Sequence, residues 1–108
     1  MSRFGVVLTT AGSEEEAARI ARALVEGGLA ACVNVVPGVR SVYRWKGAVH
    51  DDREWLCLAK VERARFDEVA SAVRAAHSYK LPEVVLLPIE AGDPRYLAWL
   101  AGEEDAPR

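Results

Sequence analysis

Two long alternating runs, Ala30 to Trp45 and Ala48 to Glu62, joined by Lys46-Gly47, restrict the fold more than any other feature. Side chains that change face at every residue mark a strand, and two such runs around a short glycine-containing turn read as a β-hairpin. Pro37-Gly38 interrupts the first run, and because proline lacks a ladder donor a bulge or bend is expected there. On the return run Trp55, Cys57, Ala59 and Val61 share one face, while Glu54, Leu56, Leu58 and Lys60 share a mixed one. The hairpin is long for a chain of 108 residues. Around its tip, Val42, Tyr43, Trp45 and Val49 present more apolar surface than one layer of helices can cover, which points to a partner, most simply further copies of the chain.

The remaining segments flank this hairpin symmetrically. Phe4 to Thr10 is apolar on both alternating sets and predicts a strand in the middle of a sheet. Ser13-Glu14-Glu15-Glu16 matches a capping box, with Ser13 accepting from the Glu16 N–H and Glu16 reaching back to the cap. The helix it opens carries Ala17, Ile20, Ala21 and Leu24 on one stripe and stops at Gly27-Gly28. A second helix is predicted over about Ala64 to His77, with Phe66, Val69, Ala70, Val73 and His77 at helical spacing. Val84 to Ile89 is a continuous apolar run, read as a strand buried on both faces with Pro88 placing its far end at an edge. Asp93-Pro94 starts a short tail helix bearing Tyr96, Leu97, Trp99 and Leu100. The order strand, helix, strand, strand, helix, strand is the split-βαβ, ferredoxin-like arrangement of the α+β class, here as a single domain over residues 1–108.

Composition removes several function classes. Disulfide staples become necessary mainly below roughly 40 residues, so Cys32 and Cys57, each inside an apolar β-type run, read as small buried hydrophobes. Their separation excludes a Cys-x-x-Cys redox or zinc knuckle. A formal net charge of −2 offers no basic field for nucleic acid. The N-terminal apolar stretch is far shorter than the ~20 residues of a membrane span. A soluble, reducing, cytoplasmic setting is expected.

The run from Leu29 through Ala30-Ala31-Cys32-Val33-Asn34-Val35-Val36-Pro37-Gly38 to Trp45-Lys46-Gly47 resembles the central signature of the CutA divalent-cation-tolerance family. His77-Ser78-Tyr79-Lys80-Leu81-Pro82-Glu83 is similar to that family's His-Pro-Tyr-x-x-Pro-Glu stretch, and Gly92 to Leu100 continues the likeness. Ser78 stands where the family usually has proline. The resemblance implies a ferredoxin-like homotrimer with strands paired across subunits, a likeness of shape to PII signalling proteins, and a role in tolerance of copper and other divalent cations. In some members copper has been placed on a cysteine ending the first strand together with two adjacent histidines; the matching positions here are Thr9 and Ala76-His77.

Candidate site residues follow from residue type and from this resemblance. His77 reads either as an imidazole ligand for Cu²⁺ or Zn²⁺, with Glu83 or a group from another subunit completing the shell, or as a helix-end histidine packed through its ring. His50 with Asp51 and Asp52 reads as a solvated charge cluster. Lys60, Tyr79 and Glu83 are candidates to line a ligand cleft between subunits, Lys60 being equally readable as half of a buried ion pair. Tyr43, Trp45, Trp55, Tyr96 and Trp99 are assigned to the trimer interface. No Gly-x-Ser-x-Gly, phosphate-cradling glycine loop or His-Glu-x-x-His is present, so a binding protein is expected rather than an enzyme, with no organic cofactor. The expected function is divalent-cation binding by a trimer; the alternatives are a PII-like sensor of a small anionic metabolite and a scaffold without a small ligand.

Overall fold

In a computed structural model, which describes residues 2–103, the first strand β1 (Phe4–Ala11) lies between two antiparallel neighbours. Helix α1 (Glu14–Glu26) leads to the hairpin strands β2 (Cys32–Trp45) and β3 (Ala48–Glu62). A single 3₁₀ turn (Arg63–Arg65) then enters α2 (Phe66–Ala76), followed by β4 (Val85–Pro88) and α3 (Pro94–Leu100). The sheet order is β2-β3-β1-β4, so β3 is inserted between the two strands that α1 connects. The result is an α+β fold with one four-stranded antiparallel sheet and three helices.

Directly opposed residues share a face. Val7 opposite Ala59, Thr9 opposite Cys57 and Ala11 opposite Trp55 therefore define the helix side. There α1 contributes Ala17, Ile20 and Leu24 and α2 contributes Val69 and Val73, all buried. Fully burying Ile20 and Leu24 stabilises the fold by about 1.5–3 kcal/mol each. Gly5 admits Leu86 onto this side, because a Cβ there would lie 2.7 Å from the Leu86 Cγ.

The other face carries Phe4, Val6, Leu8, Leu56, Leu58, Val36, Val85 and Leu87; none of them belongs to the core cluster beneath the helices, and Val36, Val85 and Leu87 are exposed while Val6, Leu8, Leu56 and Leu58 are half-buried. This corrects the reading of Val84 to Ile89 as a doubly buried strand. β4 is a four-residue edge strand paired only with β1, and Val85 and Leu87 remain about half exposed. A continuous apolar run covers one side with the chain's own helices and leaves the other bare.

The hairpin follows its sequence signals closely. Its ladder breaks between Val36 and Val39, around Pro37-Gly38, and the turn is Lys46-Gly47 with positive φ at both residues. Beyond the end of β1 it continues as a two-stranded ribbon with Val42, Tyr43, Trp45 and Val49 exposed. Two local expectations change. Ser13 caps α1 by accepting from the Glu16 N–H, but the Glu16 carboxylate turns inward to Arg19 and His77 instead of back to the cap. α2 ends one residue early, so His77 is its C-cap in extended conformation.

Candidate functional sites

The upper site is built where β1 runs out. Past the Ala11 and Trp55 pair, the chain turns through Gly12 into the N-terminus of α1, and α2 ends alongside at Ala76. His77, freed from the helix, turns its ring inward, and the side chain is completely buried. Its Nε2 lies 2.7 Å from the Thr10 carbonyl oxygen and its Nδ1 is 3.1 Å from the Tyr79 backbone N–H. A carbonyl only accepts and an N–H only donates, so the ring is assigned as the neutral Nε2–H tautomer with both nitrogens engaged. Glu16 Oε1 stands 3.4 Å from Nδ1, buried and without a hydrogen-bond donor, as is Thr9 Oγ1 nearby on the helix side of β1.

Tyr79 extends this cluster outward. Its ring packs 4.6 Å from the His77 ring, and its hydroxyl donates to Glu54 Oε2 at 2.8 Å. Gly12 makes room for that hydroxyl, since a Cβ there would sit 3.0 Å from it. Burial, and then the bond to Glu54, push the Tyr79 phenol well above its ordinary value. On the ribbon, Tyr43 donates to Asp52, which raises the Tyr43 phenol too, and its ring stacks on His50.

The lower site lies at the C-terminal end of β3. A cavity of about 350 Å³ opens among Gly28, Ala31, Lys60, Glu62, Arg65 and Trp99. Lys60 donates to the side-chain oxygen of Asn34, and Arg65 to the Gly28 carbonyl and both oxygens of Glu68. Among the described residues Lys60 thus has an amide partner and no carboxylate.

Single-chain geometry sorts the sequence candidates. Tyr79 reaches β3 at Glu54, six residues from Lys60, roughly 20 Å along a strand. Glu83 is exposed and joins neither of them by a hydrogen bond or ion pair among the described residues. One subunit thus does not converge Lys60, Tyr79 and Glu83. As a metal ligand His77 does not fit this arrangement, because each nitrogen already has a protein partner, and no group of three or more His, Cys, Asp or Glu side chains suited to a metal occurs among the described residues. Tyr43, Trp45 and Tyr96 are well exposed, whereas Trp55 packs against the core on the helix side and Trp99 lines the cavity. Glu16 and Glu54 escaped the sequence reading. Glu16 was absorbed by its capping pattern; the signal for Glu54 was a lone carboxylate on the face shared with Leu56 and Leu58.

The family model described as CutA1 divalent ion tolerance protein matches residues 5–103. The chain belongs to the CutA1 family. A CutA divalent-cation tolerance protein of Thermus thermophilus is 53% identical over 95 residues, covering 88% of this chain and 92% of that protein. The chloroplastic CutA 1 of rice is 43% identical over 95 residues, and this chain spans about half of its length, 54%. Among solved structures, a CutA of Archaeoglobus fulgidus described as a periplasmic divalent cation tolerance protein superposes with a TM-score of 0.89 at 38% identity, covering 93% of this chain and 97% of that one.

Proposed function

We propose that this protein serves divalent-cation tolerance as a homotrimer of single-domain, ferredoxin-like subunits that binds its ligand without transforming it. The carrying observation is the apolar sheet face formed by Val6, Leu8, Leu56, Leu58, Val85 and Leu87, which lies outside the helix-side core and is flanked by the outer edges of β2 and β4. An apolar face of this kind is a site of association, and a 14-residue edge strand is a template for pairing with another chain. Closure of such pairing into a ring satisfies every edge at once. The unpaired thiols of Cys32 and Cys57 support a reducing, cytoplasmic compartment.

In this reading Cu²⁺ or another divalent cation is met by groups that assembly brings together, Glu83 among them, and not by His77. Light scattering tests the assembly: three times the 11.8 kDa subunit mass is expected, and Leu58→Glu should yield monomers. A monomeric unmodified protein ends the proposal. Calorimetric titration of the metal-stripped trimer with Cu²⁺ and Zn²⁺ tests the ligand.

A second reading, a sensor of a small anionic metabolite, is favoured by one observation, the cavity beside Lys60, whose ammonium has no carboxylate partner among the described residues.

A further inference from the structure

We infer that the Lys60 ammonium of one subunit pairs with the Glu54 carboxylate of the next, so that each contact of the ring is closed by an ion pair between two copies of this chain. The inference rests on the trimer reading and names the residues that set how its subunits meet.

Both residues stand on the apolar sheet face. By strand alternation Glu54, Leu56, Leu58 and Lys60 point to one side of β3, with Lys60 opposite Val6 and Leu58 opposite Leu8. The two leucines separate a carboxylate and an ammonium that are roughly 20 Å apart along the strand. Neither charge makes an ion pair among the described residues. Lys60 donates to the Asn34 side-chain oxygen, and Glu54 accepts from the Tyr79 hydroxyl at 2.8 Å. Glu54 is nonetheless only 8% exposed. The carboxylates on either side of this stretch are engaged elsewhere: Glu62 is turned to Arg3 at 3.7 Å, and Asp52 accepts from Tyr43 out on the ribbon.

Covering this face with another molecule takes both groups out of water. A buried carboxylate or ammonium met only by a neutral hydroxyl or amide carries a large desolvation cost, and an opposite charge is what offsets it. One strand cannot bring its own two ends together. A second copy can, because a closed ring of three is built from head-to-tail contacts, in which one patch of each subunit meets a different patch of the next. The face offers two such patches, an anionic end and a cationic end around one aliphatic centre, and the same step repeated around the ring matches every Lys60 to a Glu54. Stacking of like ends would set Lys60 against Lys60, and like charges so placed disfavour that register. Tyr79 holds the Glu54 carboxylate through one oxygen without neutralising it, which leaves the other to accept from the incoming ammonium. An ammonium engaged in this way is not free for a small anion, so the pairing favours the trimeric cation-tolerance reading over the anion sensor.

The test is the mass of the full chain by light scattering across a dilution series, for the unmodified protein, Glu54→Lys, Lys60→Glu and the variant carrying both. A buried charge left without its partner should weaken assembly by about a hundredfold or more, so each single variant should dissociate at concentrations where the unmodified protein is a trimer. The double variant, with the two charges exchanged, should recover the trimer. Circular dichroism checks that each chain is folded. Tyr79→Phe, which removes only the intrachain bond to Glu54, should keep the trimer. Carbodiimide treatment of the unmodified protein should join Glu54 to Lys60 in species of two and three subunit masses, and this cross-link decides alone if a single variant does not fold. Single variants with an unshifted dilution midpoint, a folded double variant that stays dissociated, Tyr79→Phe dissociating as far as Glu54→Lys, or absence of the cross-link overturns the inference. With the unmodified protein a trimer, those results leave the assembly standing; a monomeric unmodified protein ends both.

Discussion

Nε2 of His77 is 2.7 Å from the carbonyl oxygen of Thr10, a bond that ties the end of α2 to the end of the central strand across 67 positions of sequence. The same ring accepts from the Tyr79 N–H, so one side chain satisfies two backbone groups in a buried corner. His77→Ala should cost about 2–4 kcal/mol, two lost hydrogen bonds and two stranded polar groups. Chemical denaturation measures it. On the proposed reading any affinity of the protein for Cu²⁺ should be unchanged in the variant, and a selective loss of Cu²⁺ binding without loss of stability would reverse the assignment.

Tyr79 should titrate late. Burial and the bond to the Glu54 carboxylate favour the neutral phenol in the folded state, so its folded pKa lies above the unfolded value of about 10. A raised pKa gives stability that is complete below the unfolded value and is lost as pH climbs through the window above it. Stability should therefore fall above about pH 10. Tyr79→Phe should flatten that decline and remove one late-ionising phenol from the 295 nm absorbance titration, leaving Tyr43, which is also raised, as the other.

How much of this was legible beforehand depends on the distance over which each feature is encoded. The hairpin, its bulge at Pro37-Gly38, the Ser13 cap and the Asp93-Pro94 helix start are local, set by periodicity and by residues that fix their own backbone. β4 was misread because Val84 to Ile89 has the same composition whether the second face is covered by the chain's own helices or left for another molecule. His77 sits at the element the sequence assigns it to, and of its two readings, metal ligand or helix-end histidine packed through its ring, the local geometry is that of the second. Helical spacing extended α2 by one residue, and nothing local reveals that the next residue turns extended and bonds to Thr10. Glu54 was invisible for a similar reason, since its partner Tyr79 lies 25 residues away.

The hairpin turn holds a removable strain. Lys46 has φ +50° and Gly47 φ +80°, the pattern of a two-residue turn with positive φ at both positions. A left-handed conformation costs an ordinary residue about 1–2 kcal/mol, and asparagine tolerates it better than lysine. Lys46→Asn should raise stability by about 0.5–1 kcal/mol, seen as a higher denaturant midpoint at constant m value. No gain would mean that the turn is held by contacts elsewhere.

Leu86, opposite Val7 in the β1 and β4 pair, leans diagonally over Gly5, so that the leucine Cγ and both methyl carbons come within 2.9 Å of the position a Gly5 Cβ would take. A contact that short cannot be absorbed in place. Gly5→Ala must push Leu86 off its rotamer or spread the two strands, at a cost of about 1–3 kcal/mol. Because β4 is held to the sheet only through β1, the damage should concentrate there, with amide exchange quickened at Val85 to Pro88 and unchanged in β2. Leu86→Ala alone should also destabilise, by leaving a cavity over the core. Combining the two supplies the missing discrimination: if the clash is the cause, the double variant is more stable than the sum of the singles predicts, by more than about 0.5 kcal/mol. Strict additivity would instead place the cost of Gly5→Ala in the backbone of β1.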